Sequence, residues 1–91
     1  MKILLKNGLV YDGSRNKPQK LDILINNNVI EKLSENLNET ADKVIDCTNL
    51  CISPGFIDAH SHNDFFVHLD EAIFPFLKQG ITTQIVGNCG F

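Results

Sequence analysis

Beyond Pro54 the chain carries a pattern with few structural solutions: a short apolar segment, a helix-spaced segment, a glycine and a β-branched segment. Pro54-Gly55 punctuates the backbone ahead of residues 56–59, which read as a short buried strand. Leu69, Ala72, Ile73, Phe76 and Leu77 recur at offsets that lay one apolar face along a helix. Pro75 constrains that helix, which either starts near the proline, where the ring is tolerated, or is kinked there. Gly80 is a natural C-terminal stop, and residues 81–86 are β-branched and strand-like. Strand, helix, strand in this order begins a parallel βαβ unit.

The first of these strands runs into His60-Ser61-His62. In an extended strand, side chains two apart share a face at a spacing of about 6.6 Å. Both imidazoles are therefore expected to leave the strand together, with Ser61 turned away. Imidazole is the commonest metal ligand among side chains, and two on one edge supply half of a tetrahedral site. A bare His-x-His pair is also common on solvated strands; the apolar lead-in and the polar Asn63 and Asp64 that follow favour the metal reading. Asp64 either orients an imidazole N–H or caps a turn, and His68 reads as solvated. Asp58 alternates with the histidines and shares their face in an extended chain.

Parallel α/β units carry functional residues at the carboxyl ends of their strands. Gly87-Asn88-Cys89-Gly90 follows the second strand. Taken locally, Cys89 reads as a buried, inert thiol. If the two strands are neighbours, it reaches the rim that carries His60 and His62, where zinc would ionise it. Gly87 and Gly90 let the backbone bend close to a metal or substrate.

The first half reads as β-structure. Residues 3–6 and 9–11 are expected as two short strands broken by an Asn7-Gly8 turn. Residues 21–25 and 29–33 flank Asn26-Asn27-Asn28, a hairpin turn, since asparagine tolerates positive φ. Residues 34–43 form a loop, and residues 44–47 and 50–53 are strand candidates around a Thr48-Asn49 turn. Two domains are expected, 1–53 and 54–91. The 91 residues, 43% of them hydrophobic, exclude disorder throughout. A net charge of −3 with scattered Lys and Arg speaks against a nucleic-acid partner. No apolar run has membrane length and the N-terminal run is too short for a signal peptide, so a cytoplasmic protein without membrane contact is expected. Three cysteines leave at least one thiol unpaired, which fits a reducing compartment. Cys47 and Cys51 read as small packing residues.

These residues resemble the amidohydrolase superfamily and, within it, the N-acyl-D-amino-acid deacylases (D-aminoacylases). The superfamily's opening is matched by residues 4–13, by Asp22-Ile23-Leu24-Ile25, by Val44-Ile45-Asp46 and by residues 52–62. That opening is shared with dihydroorotases and hydantoinases. The piece that points to the deacylase branch is the run 79–91, with Gly87-Asn88-Cys89-Gly90 at its end. The resemblance spans essentially the whole chain. It implies a mixed α and β fold: N-terminal strands of a small β-sandwich, followed by the first strand-helix-strand of an incomplete TIM barrel. It implies zinc as the metal, with His60 and His62 as the histidine pair and Cys89 as the branch's cysteine ligand. The position of Asp58 is structural in the family. The substrate implied is a small N-acyl amino acid, hydrolysed at its amide bond. The family's remaining ligands and its catalytic aspartate fall outside the sequence, so no catalytic residue and no organic cofactor site is expected here. The isolated chain is expected to be an inactive N-terminal piece that self-associates through Phe65, Phe66, Phe74 and Phe76.

Overall fold

The computed structural model describes residues 1–61 and 69–87, and divides into two compact units, Met1–Pro54 and Gly55–Phe91. The described residues are mostly β with one short helix.

The first unit is a five-stranded sheet. It contains β1 (Lys2–Val10), β2 (Gln19–Asn26), β3 (Val29–Ser34), β4 (Lys43–Asp46) and β5 (Cys51–Ile52). The order is β3-β2-β1-β4, with β5 also on β1. β2 and β3 form the expected hairpin: Asn26 pairs with Val29 and Asn27 takes a φ of 56° in the two-residue connection. Buried Leu4, Val10, Ile23, Leu24 and Cys47 make the core, with Leu24 fully enclosed. Cys47 packs as expected, whereas Cys51 is exposed.

Asn7-Gly8 is not a turn. β1 runs through it as one nine-residue strand. Leu5 pairs with Ile23 and Gly8 with Leu21, so two residues of β1 stand opposite Asp22 alone. This is a β-bulge, with Asn7 at a φ of 65° supplying the left-handed residue. The side chain that holds it is Asp22, 2% exposed. Its carboxylate accepts from the Asn7 N–H at 2.8 Å, the Leu37 N–H at 2.9 Å and the Lys6 ammonium at 2.8 Å. Burial alone would push this carboxyl up; the Lys6 ammonium and the two N–H groups outweigh it and hold it below the usual carboxylate range.

β4 and β5 do form around a Thr48-Asn49 turn, but they do not pair with each other. Both lie parallel to β1, on Ile3–Lys6 and on Leu9–Val10 respectively. The turn between them therefore passes the β1 bulge. Asp46 accepts from the Thr48 N–H at 3.0 Å, Asn49 takes a φ of 64°, and the Leu9 N–H donates to Leu50 at 3.0 Å. Gly8 is required here: a Cβ on it would sit 2.7 Å from Ile52 Cγ1 and 3.2 Å from Cys47 Cβ. Leu5, Ile23, Ile25, Ile30, Leu33 and Ile52 line an apolar hollow of about 320 Å³, in which Ile30 and Leu33 remain exposed.

The second unit contains β6 (Phe56–Asp58), α1 (Asp70–Lys78) and β7 (Ile81–Gln84). α1 does not start near Pro75; it begins at Asp70 and contains the proline. Acidic Asp70 and Glu71 at its start and Lys78 at its end suit the helix dipole. Gly80 ends it as expected, at a φ of 85°, with its N–H donating to Leu77 at 2.9 Å. Ile73, Phe76 and Leu77 line a groove with Ile81 and Val86, so the expected apolar face turns to β7. Leu69 is the exposed N-cap residue. Self-association through the four phenylalanines gains no support: Phe76 faces β7, Phe74 is half exposed, and Phe65 and Phe66 lie outside the described residues. Among the described residues, no helix is long and apolar enough to cross a membrane.

Two outcomes test this sheet. Gly8→Ala should destabilise the unit by about 1–3 kcal/mol in urea titration, the cost of forcing extra atoms into packed space. Asp22→Asn should lose about 1–3 kcal/mol at neutral pH. The carboxyl is lowered in the folded state, so its stabilisation is present above the unfolded value of about 3.9 and disappears as pH falls through the folded value. Urea midpoints should therefore separate the two proteins at pH 7 and converge towards pH 2.

Candidate metal centre

Phe56–Asp58 and Ile81–Gln84 pair in parallel, so the segments that follow Asp58 and Gln84 emerge at one edge of the sheet. The adjacency expected from the strand-helix-strand pattern is present. It begins with the Phe56 N–H donating to Gly80 at 2.7 Å and continues past the strands, with Ile85 N–H donating to Asp58 at 2.8 Å and Ser61 N–H to Ile85 at 2.9 Å.

Close packing holds the pair at its other end. The register shifts between Phe56 and Ile57, where Phe56 meets Ile81 and Ile57 meets Thr83. Thr82 is the extra residue. A Cβ on Gly55 would sit 2.7 Å from Thr82 Cβ, with the Thr82 hydroxyl and methyl nearer still. Gly55 is thus the residue that lets the two strands start together. Gly80 adds a second constraint, since a Cβ there would lie 3.2 Å from the Phe56 ring.

His60 is exposed and lies at this edge, but not in the strand as expected. β6 stops at Asp58, and Ala59 and His60 form a bend. The cause is local: Asp58 Oδ1 accepts the His60 N–H at 3.3 Å, an Asx turn that competes with the sheet. Asp58 therefore does more than alternate with the histidines. Ser61, read as simply turned away, is 7% exposed and ties the segment to β7. The same aspartate-to-i+2 bond recurs at Asp12-x-Ser14 and Asp46-x-Thr48, at 2.9 and 3.0 Å.

Beyond β7, Gly87 takes a φ of 83° with open space around it, so backbone conformation rather than crowding selects glycine there. His62, Asp64, His68, Cys89 and Gly90 lie outside the described residues. Among the described residues, no group of three or more His, Cys, Asp or Glu could hold a metal, and His60 is the one expected ligand they include.

Comparison with known proteins bears on this edge. The D-aminoacylase of Alcaligenes xylosoxydans xylosoxydans is 32% identical over 88 residues, 97% of this chain and 18% of its own length. A 5-methylthioadenosine/S-adenosylhomocysteine deaminase of Thermococcus sibiricus is 51% identical over 63 residues, 69% of this chain and 15% of its own. The crystal structure of D-aminoacylase, described as defining a novel subset of amidohydrolases, matches with a TM-score of 0.90 at 31% identity, over 98% of this chain and 19% of that one. An N-acyl-D-glutamate deacylase of Bordetella bronchiseptica, crystallised with zinc and a phosphonate mimic of the tetrahedral intermediate, matches with a TM-score of 0.85 at 31% identity, over 97% of this chain and 19% of that one. No family model matches. The chain belongs to the amidohydrolase superfamily and is D-aminoacylase-like within it. It spans less than a fifth of the length of these relatives.

Gly55→Ala should cost about 1–3 kcal/mol by overpacking against Thr82. A Gly55→Ala, Thr82→Gly double variant should recover part of that loss in the same urea titration. Equal stability of Gly55→Ala and the parent protein would show that the strands do not start as closely as described.

Proposed function

We propose that the chain supplies the opening of a zinc-dependent hydrolase that cleaves the amide bond of N-acyl-D-amino acids. In this reading the first unit contributes strands to a small β-sandwich, and the open apolar hollow on its sheet supports that assignment. The second unit is the first strand-helix-strand of a TIM barrel, whose functional edge is the carboxyl end of its strands. The observation that carries the reading is the D-aminoacylase match, which covers 97–98% of this chain, while the deaminase match covers 69% of it. His60, His62 and Cys89 are the proposed ligands.

Two imidazoles and a thiolate are a donor set that suits zinc, and one position is left for water or substrate. Bound there, zinc supplies Lewis acidity towards an amide carbonyl and activates water near neutral pH. The residues of this chain would hold and orient it. β6 and β7 fix the edge, the bond from Ser61 to Ile85 anchors the histidine segment, and Gly87 turns the backbone ahead of Cys89. The unpaired thiols Cys47 and Cys51 fit a reducing, cytoplasmic setting.

The match to the deaminase favours a second reading, in which the same edge serves ring deamination. Substrate assay separates the two. The whole protein should hydrolyse N-acyl-D-amino acids, leave the L-enantiomers intact, and lose turnover on chelation until zinc is returned. Release of ammonia from 5-methylthioadenosine, with no D-selective deacylation, would replace the first reading by the second. His60→Ala should weaken zinc binding by at least about 100-fold in equilibrium dialysis, above the range for residues that only support a ligand. The isolated chain should show no turnover.

A further inference from the structure

Parallel β-ladders have a fixed rhythm: the N–H and C=O of one residue bond to two residues of the neighbouring strand that stand two apart. Ile85 breaks it. Its N–H donates to Asp58 at 2.8 Å, and its C=O accepts from Ser61 at 2.9 Å, three residues further on. The segment that continues β6 therefore carries one extra residue, and Ala59 and His60 share the space of one. In a regular ladder the donor to Ile85 would be the His60 N–H. Ser61 has taken that place, and the His60 N–H donates to Asp58 Oδ1 at 3.3 Å instead.

A backbone donor that leaves a ladder must find another acceptor or be left to water. Asp58 provides one from two residues away. The bulge has a consequence for the side chains. Residues after it are one step out of phase with those before it, and one step exchanges the two faces of a strand. Ser61, buried, occupies the ladder position that His60 would otherwise hold. Bulges of this kind recur beside functional sites, where they re-aim a side chain.

We propose that Asp58 is a positioning residue, whose carboxylate oxygen holds the Ala59-His60 bulge and so sets the direction in which His60 leaves the sheet. This rests on the reading of His60 as a metal ligand. Without the side-chain acceptor, the His60 N–H returns to Ile85, the ladder becomes regular, and His60 shifts in phase. Asparagine retains the Oδ1 acceptor and loses the charge, so it distinguishes positioning from direct ligation of the metal by Asp58.

Zinc binding by the whole protein, measured by equilibrium dialysis, tests the proposal on Asp58→Ala, Asp58→Asn and His60→Ala. Asp58→Ala should lose about 10- to 100-fold in affinity, the range for groups that orient a ligand, with Asp58→Asn close to the parent protein. Amide exchange in the zinc-free protein gives a second readout. The His60 N–H should be protected in the parent and in Asp58→Asn; in Asp58→Ala its bond should move to Ile85 and release the Ser61 N–H to exchange. Should the alanine variant fail to fold, the asparagine variant decides, since a loss equal to that of His60→Ala would make Asp58 a ligand and overturn the proposal. Parent-like binding and exchange in a folded Asp58→Ala would overturn it too. If His60→Ala binds zinc normally, the metal reading fails instead, and exchange at His60 and Ser61 alone decides whether Asp58 holds the bulge.

Discussion

The parallel pairing of β6 with β7 is the constraint on which the site depends. Antiparallel strands would send the segments after Asp58 and Gln84 to opposite ends of the sheet. Parallel ones send them to the same end, so residues far apart in sequence can share a ligand. The pairing is secured from below by a glycine that admits Thr82 and from above by the bonds of Ile85 to Asp58 and Ser61. The connecting helix makes the parallel arrangement possible, because a tight hairpin could not reverse the chain twice. Its apolar positions Ile73, Phe76 and Leu77 then hold it against β7.

A second theme runs through both units: irregular backbone is stabilised by aspartate. Asp22 is enclosed beside the β1 bulge and satisfies two N–H groups and an ammonium there. Asp46 shapes the turn between β4 and β5, and its own carboxyl is held low by the Thr48 hydroxyl and N–H. Asp58 accepts the His60 N–H across the same two-residue span. Asp46 and Asp58 each reach a backbone donor two residues away, whereas Asp22 reaches Asn7 and Leu37 across fifteen residues. They differ also in burial. Asp22 is enclosed and its removal takes the acceptor from the Asn7 and Leu37 N–H groups, whereas Asp46 is exposed and its loss is repaired by water.

Much of this was legible in the residues. The strand-helix-strand order, Gly80 as helix stop, the hairpin at Asn27 and the burial of Cys47 all follow from local chemistry. The failures share one cause. Asn7-Gly8 has the composition of a turn, and nothing local reveals that Asp22, fifteen residues on, will hold it as a bulge inside a continuous strand. Pro75 reads either as a helix start or as a proline within a kinked helix; α1 contains it, and packing of Ile73 and Phe76 against β7 outweighs one lost backbone bond. The exposure of Cys51 follows from β5 lying on the edge of β1 rather than in a hairpin with β4. The exit of His60 from the strand was not legible, because period-two alternation assumes a regular ladder. The proposed acyl-amino-acid chemistry rests on resemblance, since no substrate-reading group can be inferred from spacing alone.

In the proposed site His60, His62 and Cys89 converge on one metal. X-ray absorption at the zinc edge of the zinc-loaded protein tests it most directly. The expected first shell holds a sulfur at about 2.3 Å beside nitrogen or oxygen ligands near 2.0–2.1 Å, with the sulfur lost in Cys89→Ser. A first shell without sulfur in the parent protein, or one that Cys89→Ser leaves unchanged, would contradict it.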